Sequence, residues 1–326
     1  MPRLSFRAKT IIAFATVYVV WGSTYLAIKV GLNEALPPSL FGGLRLVPAG
    51  LILLAFAKVR GTSLAISRRD LSTAAVVGLC LLCGGMYSTM IAEGFISSSL
   101  TALVVAVAPL WMALAEAVLP GMDRPTGRGI LGLVLGLAGL ALLVGPRLAG
   151  VSGTLTDVIG MSIQVVGTWL WVGGSIVSKK RPLTTDGTVA TGYEMLIAGG
   201  VLLLVGLVRG EHVGLSISPA AFGALAYLSV FGSAVAFTAF MWLIRNIAAS
   251  KVMTYAYVNP VVAVLLGYLA GVVGLLAEPE RLDVWGVAGM AVIVGGVALA
   301  TSAPVKRAER DPVGPDAAGL PEIPSP

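Results

Sequence analysis

From one end of the chain to the other, apolar runs of roughly 20 residues recur, each about the length needed to cross a hydrocarbon layer of roughly 30 Å as a helix. Ten are counted: residues 10–30, 39–58, 71–92, 97–119, 129–145, 157–179, 188–208, 219–244, 251–275 and 283–302. Hydrophobic residues make up 57% of the chain, charged ones only 12%, and the mean hydropathy is +0.92, too apolar for a core wrapped in a wetted surface. The links leave no room for a soluble domain. The expected fold class is therefore all-α and integral to the membrane, with ten transmembrane helices. The first run is long and lacks a small-residue cleavage site, so it is taken as an uncleaved span.

The net charge of +6 reports orientation. Basic residues cluster in alternate links: Arg3, Arg7 and Lys9; Lys58, Arg60, Arg68 and Arg69; Arg124 and Arg128; Lys179, Lys180 and Arg181; Arg245 and Lys251; Lys306, Arg307 and Arg310. The opposite links hold only Arg147, Arg209 and Arg281. The positive-inside rule then places both termini in the cytoplasm, and no nucleic-acid surface is expected. Cys80 and Cys83 form a C-x-x-C pair in an apolar helix without a second pair or a nearby histidine, so they read as small hydrophobes. No metal and no cofactor is expected.

The chain also repeats itself on a larger scale. "WGSTYLAIK" (Trp21 to Lys29) returns 150 residues later as "WVGGSIVSK" (Trp171 to Lys179). "RLVPAG" from Arg45 matches "EMLIAG" from Glu194, "SSLTALVVAVAPL" matches "ASKVMTYAYVNPV" with Pro109 over Pro260, and "GILGLVLGLAG" from Gly129 matches "GVAGMAVIVGG" from Gly286. Five spans per copy is an odd number, so the second copy enters the membrane from the opposite side, giving two inverted five-helix repeats of the kind secondary transporters use. The expected organisation is a cytoplasmic N-terminus (1–9), a first repeat (10–145), a linker (146–156), a second repeat (157–302) and a Pro-rich, disordered cytoplasmic tail (303–326).

These motifs in order, with "GLRLVPAGLILL", "YEMLIAGG" and "FGSAVAFTAFMWLIRNIAASKVMTYAYVNPVVAVLLG", resemble the EamA-type permeases of the drug/metabolite transporter superfamily over residues 10–302. Glu194 departs from the glutamine more usual there, and "EPERLD" before the last span is longer and more charged than the usual link. The resemblance implies ten helices, cytoplasmic termini, a plasma-membrane location and movement of small solutes, commonly amino acids or related metabolites and often outward.

On a helix, positions i, i+3, i+4 and i+8 share a face. Trp21, Thr24, Tyr25 and Lys29 form one such strip, and Trp171, Gly174, Ser175 and Lys179 the matching one. Polar strips in lipid belong beside a cavity. The lysines, at span ends, read as interface anchors. Arg45 and Glu194 are harder to place in lipid, since a central ionised group costs about 2.5–3.5 kcal/mol. Arg45 is expected to attract a carboxylate and Glu194 to meet an amine or carry a proton; a structural bond to a loop carbonyl is the equal alternative for each. Pro109 and Pro260 are placed mid-helix, freeing the carbonyls of Val105 and Ala256 inside the protein. Asn259, Tyr255, Tyr257 and Tyr87 extend the expected lining. Glu116 reads as a solvated end residue, Trp111 and Trp169 as lipid-facing or packing residues, and the glycine ladders of spans five and ten as scaffold or subunit contact, which leaves a homodimer open.

No H-E-x-x-H, G-x-S-x-G or nucleotide-binding motif occurs, so the chain is not read as an enzyme or a nucleotide-driven pump. The expected function is a secondary transporter, an exporter of small metabolites such as amino acids by alternating access. A carrier of drugs or lipid-like amphiphiles is the alternative. Solute and membrane lipid are the expected partners, with proton coupling through Glu194.

Overall fold

The structure, a computed structural model, describes residues 5–33, 36–148, 153–213, 215, 217–272 and 283–306; the side chains of residues 25, 26, 29–33, 98, 147, 148, 270 and 271 are outside that description. The expected tail beyond residue 306, and all of "EPERLD" except Asp283, also lie outside it.

The described chain is built from α1 (Phe6–Asn33), α2 (Pro38–Val59), α3 (Arg68–Ala92), α4 (Ser99–Val118), α5 (Gly127–Val144), α6 (Leu155–Lys180), α7 (Gly187–Val208), α8 (Pro219–Asn246), α9 (Ala249–Leu269) and α10 (Val284–Ser302). Among the described residues, α2 to α10 are nine helices long and apolar enough to cross a bilayer. The 28-residue α1 packs with them, alongside α8 and α9. The result is an all-α membrane protein; its only described sheet is a two-residue ribbon, β1 (Arg124–Pro125) antiparallel to β2 (Val305–Lys306).

Helix starts follow the local sequence. Ser67, Ser97, Thr126, Ser218 and Asp283 each accept a first-turn amide, and Thr154 forms a reciprocal capping box with Asp157. Two helices widen into π geometry at related places, α3 over Leu79–Met86 and α8 over Leu228–Val235. Such turns leave the regular i to i+4 ladder and often mark functional sites.

The prolines differ from the expectation of two matching kinks. Pro109 is not mid-helix: α4 breaks into a turn at Ala106–Val107 and Pro109 sits in the first turn of the segment that follows, where its missing N–H costs nothing. Pro260 does lie inside helical structure, and α9 instead breaks earlier, at Met253–Thr254.

Helices pair across the two copies. α2 runs along α7 and α5 along α10, while α1 packs on α8 and α6 on α3. The α5–α10 contact depends on glycine: a Cβ on Gly139 would lie 2.7 Å from the Ile293 amide nitrogen, and one on Gly289 would lie 2.7 Å from the Gly139 carbonyl. These ladders are thus consumed inside the chain.

Candidate functional site

A cavity of about 520 Å³ lies between the helices of the two copies, within the usual range of roughly 300–1,000 Å³ for small-molecule sites. Its floor is aromatic. The Trp21 ring lies 4.8 Å from Tyr255, 5.2 Å from Phe240 and 5.9 Å from Trp171, centroid to centroid, with Trp171 5.3 Å from Phe240. The walls rise from there to Glu93, Ser99, Val144 and Gly267, near the helix ends on the side where α1 finishes. Toward the other end Val17, Leu243, Ile244, Val252 and Met253 pack as solid core.

Arg45 enters this cavity from α2, buried to 6% exposure. Its Nε donates to Ser233 Oγ at 2.8 Å, on the π segment of α8, so the partner is a helix hydroxyl rather than a loop carbonyl. Among the described residues no carboxylate lies within ion-pair distance of it. The neighbouring Gly232 carbonyl accepts Trp21 Nε1 at 2.9 Å, and Thr24 Oγ1 donates to the Trp21 carbonyl at 2.6 Å, so both side chains are held against the same wall.

Of the other residues singled out in the sequence, the structure brings Trp21, Thr24, Trp171, Tyr255, Asn259 and Pro260 to the cavity. Ser175 is buried and donates back to the Trp171 carbonyl at 2.8 Å, which satisfies it inside its own helix. Tyr257 turns away to pack on Gly136 of α5. Tyr87 shares a 2.6 Å bond with Ser39, which in turn donates to Glu211, so it joins helix ends rather than the cavity. Pro109 is buried beside Ala108, which does line the wall, and the Tyr25 side chain lies outside the described residues.

Glu194 is outside the cavity. Its Oε1 accepts Arg245 Nη2 at 3.0 Å, tying α7 to α8, while Oε2 has no partner among the described residues. Glu116 corrects a simpler expectation: it is fully buried, and Oε1 accepts the amides of Ala249 (2.6 Å) and Ser250 (3.3 Å), capping the start of α9 from the end of α4. Lys179 is fixed nearby, donating to the Ile247 carbonyl at 2.6 Å.

Gln164 and Thr168 of α6 were not anticipated. Both line the cavity and both are buried. Thr168 Oγ1 donates to the Gln164 carbonyl at 2.8 Å, so it can only accept from the Gln164 side chain, and Nε2 does face it at 3.4 Å. That leaves Gln164 Oε1 as an unpaired acceptor, along with Asn259 Oδ1. The available signal was a glutamine one face-repeat of seven before Trp171 in an apolar span.

The EamA-like transporter family matches this chain twice, over residues 8–145 and 158–302. The chain belongs to that family. An "Uncharacterized inner membrane transporter YedA" of Escherichia coli is 38% identical over 291 residues, covering 89% of each chain. A "WAT1-related protein" of Arabidopsis thaliana is 28% identical over 271 residues, 77% of this chain and 61% of that one. A solved crystal structure superposes with a TM-score of 0.77 at 23% identity, covering 91% of this chain and 97% of the other, a likeness of fold. As an EamA-like transporter the protein is a membrane permease for a small solute rather than an enzyme, and the cavity is where such a solute has room to bind.

Proposed function

We propose that this EamA-like transporter carries small carboxylate-bearing metabolites, amino acids among them, by alternating access between two inverted five-helix repeats, and that it works as an exporter. The carrying observation is Arg45: a buried cation in the cavity wall with no carboxylate in ion-pair reach among the described residues is a site that awaits one from the solute. The pairing of α2 with α7 and α5 with α10 supports the repeat organisation, since a two-fold axis between copies places equivalent helices side by side. With both termini cytoplasmic, as the distribution of Lys and Arg supports, the cavity faces outward and the packed core closes the cytoplasmic end.

Apolar and aromatic side chains such as Leu46, Met86, Trp171 and Phe237 line the same space, which favours solutes with an apolar body and keeps amphiphilic drugs as the second reading. Proton coupling through Glu194 now takes a different form: a proton there acts on the bond to Arg245, and so on the α7–α8 contact, instead of on the solute. With Gly132, Gly139, Gly289 and Gly296 packed between α5 and α10 within the chain, the proposed working unit is the single chain.

Proteoliposome uptake of carboxylated solutes and their uncharged amides tests this. Charge-assisted hydrogen bonds contribute about 1.5–3 kcal/mol, so Arg45→Gln should lower transport of the acid roughly 10- to 100-fold and leave the amide little changed. Equal transport of acid and amide by the unsubstituted protein would refute the carboxylate reading.

A further inference from the structure

The two floor tryptophans occupy the same register in α1 and α6, 150 residues apart, and each lies against the π segment of a helix from the other copy. Their indole N–H groups nevertheless fare differently. Trp21 Nε1 is bonded to the Gly232 carbonyl in α8. Trp171 Nε1 is buried and has no acceptor among the described residues. The local reason is visible in α3: the Gly85 carbonyl, where the ring touches that helix, already accepts Ser88 Oγ at 2.8 Å and Thr89 Oγ1 at 3.2 Å. No hydroxyl follows Gly232 at the matching positions, which are Val235 and Ala236. The ring orientation agrees. A Cβ on Gly85 would fall 2.6 Å from Trp171 Cε3, on the edge of the indole opposite Nε1, so the N–H points away from α3.

A buried N–H left unpaired is costly, and a chain that keeps one in one state recovers the cost if a second state pairs it. We propose that the two indoles exchange partners during transport. In the state described here Trp21 holds the α8 π segment; in the state open at the opposite end the cavity-lining Thr89 hydroxyl gives up the Gly85 carbonyl of the α3 π segment, Trp171 turns its N–H onto it, and Trp21 lets go. The number of indole bonds is then the same in both states while the floor changes hands, so neither state is favoured by the two N–H groups as a pair. The two N–H groups act as equal and opposite weights on the conformational balance. This inference rests on the alternating-access reading.

The experiment uses the full chain with Cys80 and Cys83 replaced by serine and spin labels at Phe95→Cys and Val272→Cys, which follow the wall residues Glu93 and Gly267 at the cavity mouth. Double electron–electron resonance in nanodiscs reads mouth-open and mouth-closed distances. Trp21→Phe should raise the closed-to-open ratio about fivefold, and Trp171→Phe should lower it by a similar factor, from the loss of one hydrogen bond each. A second pair of variants carrying the benzothiophene analogue of tryptophan at each position keeps the ring and removes only the N–H; it must reproduce the opposite shifts. Shifts of the same sign, or none, overturn the exchange while two distances still interconvert. A single distance in the unsubstituted protein, unmoved by any transported solute, sinks alternating access itself.

Discussion

Arg45 in α2 and Glu194 in α7 stand at matching positions of the two copies, yet they live in different surroundings. Arg45 reaches into the cavity and meets one neutral hydroxyl; Glu194 reaches an arginine and leaves the cavity behind. The repeat therefore carries over the helix pairing, whereas the partner of each charge is decided by the side chains its neighbour on α8 presents. One charge faces the cavity with a hydroxyl for its partner, and the other is spent on the scaffold.

Substitutions that strand or remove a charge expose this difference most strongly. Arg245→Leu leaves the buried Glu194 carboxyl without its counter-charge, so stability should fall by about 3–5 kcal/mol, and Glu194→Leu in the same chain should restore much of it. Thermal unfolding in detergent measures both. No loss in the single variant would mean that the fold does not depend on the Glu194–Arg245 pair. Next in size is a contrast within α10. Gly296→Ala forces a methyl against α5 and should cost about 1–3 kcal/mol, whereas Gly295→Ala, which meets nothing within 4 Å, should be neutral or stabilising by up to about 1 kcal/mol. Similar losses at both would show that the matched glycines are not selected by the contact. Glu116→Gln should cost about 1 kcal/mol, since the amide oxygen still caps α9 without charge assistance; a loss as large as that of Arg245→Leu would make this acid a second structural charge on the scale of Glu194. Smallest of all on this scale is Arg45→Met, whose unfolding midpoint should hardly move even as transport of acids fails. A large destabilisation there would place Arg45 with Glu194 as part of the scaffold.

Nine of the spans were legible because apolar length and lipid thickness admit few alternatives, and α2 to α10 begin and end within a few residues of the apolar runs. Side-chain destinations were less so. A hydroxyl in a membrane helix looks polar in sequence, but Ser175 is satisfied one turn back in its own helix and needs no cavity. Tyr257 and Asn259 are two residues apart on one helix, and only the close approach of Gly136 decides that the tyrosine faces α5 while the asparagine faces the cavity. Glu116 sits where the apolar run ends, which suggests water; the end of α4 instead meets the start of α9, whose unpaired amides a carboxylate can hold. Pro109 was misplaced because the sequence shows that a helix is interrupted without showing which side of the proline unwinds.

The small ribbon between Arg124–Pro125 and Val305–Lys306 reaches further than its size suggests. It fixes the point at which the polypeptide leaves the last helix, directly beneath the hairpin that joins α4 to α5. Shortening the chain to remove its Pro-rich end should therefore stop after Lys306: a cut a few residues earlier would strip the hairpin of its only strand partner among the described residues and loosen the Thr126 hydroxyl from the Pro304 carbonyl that it holds at 3.1 Å.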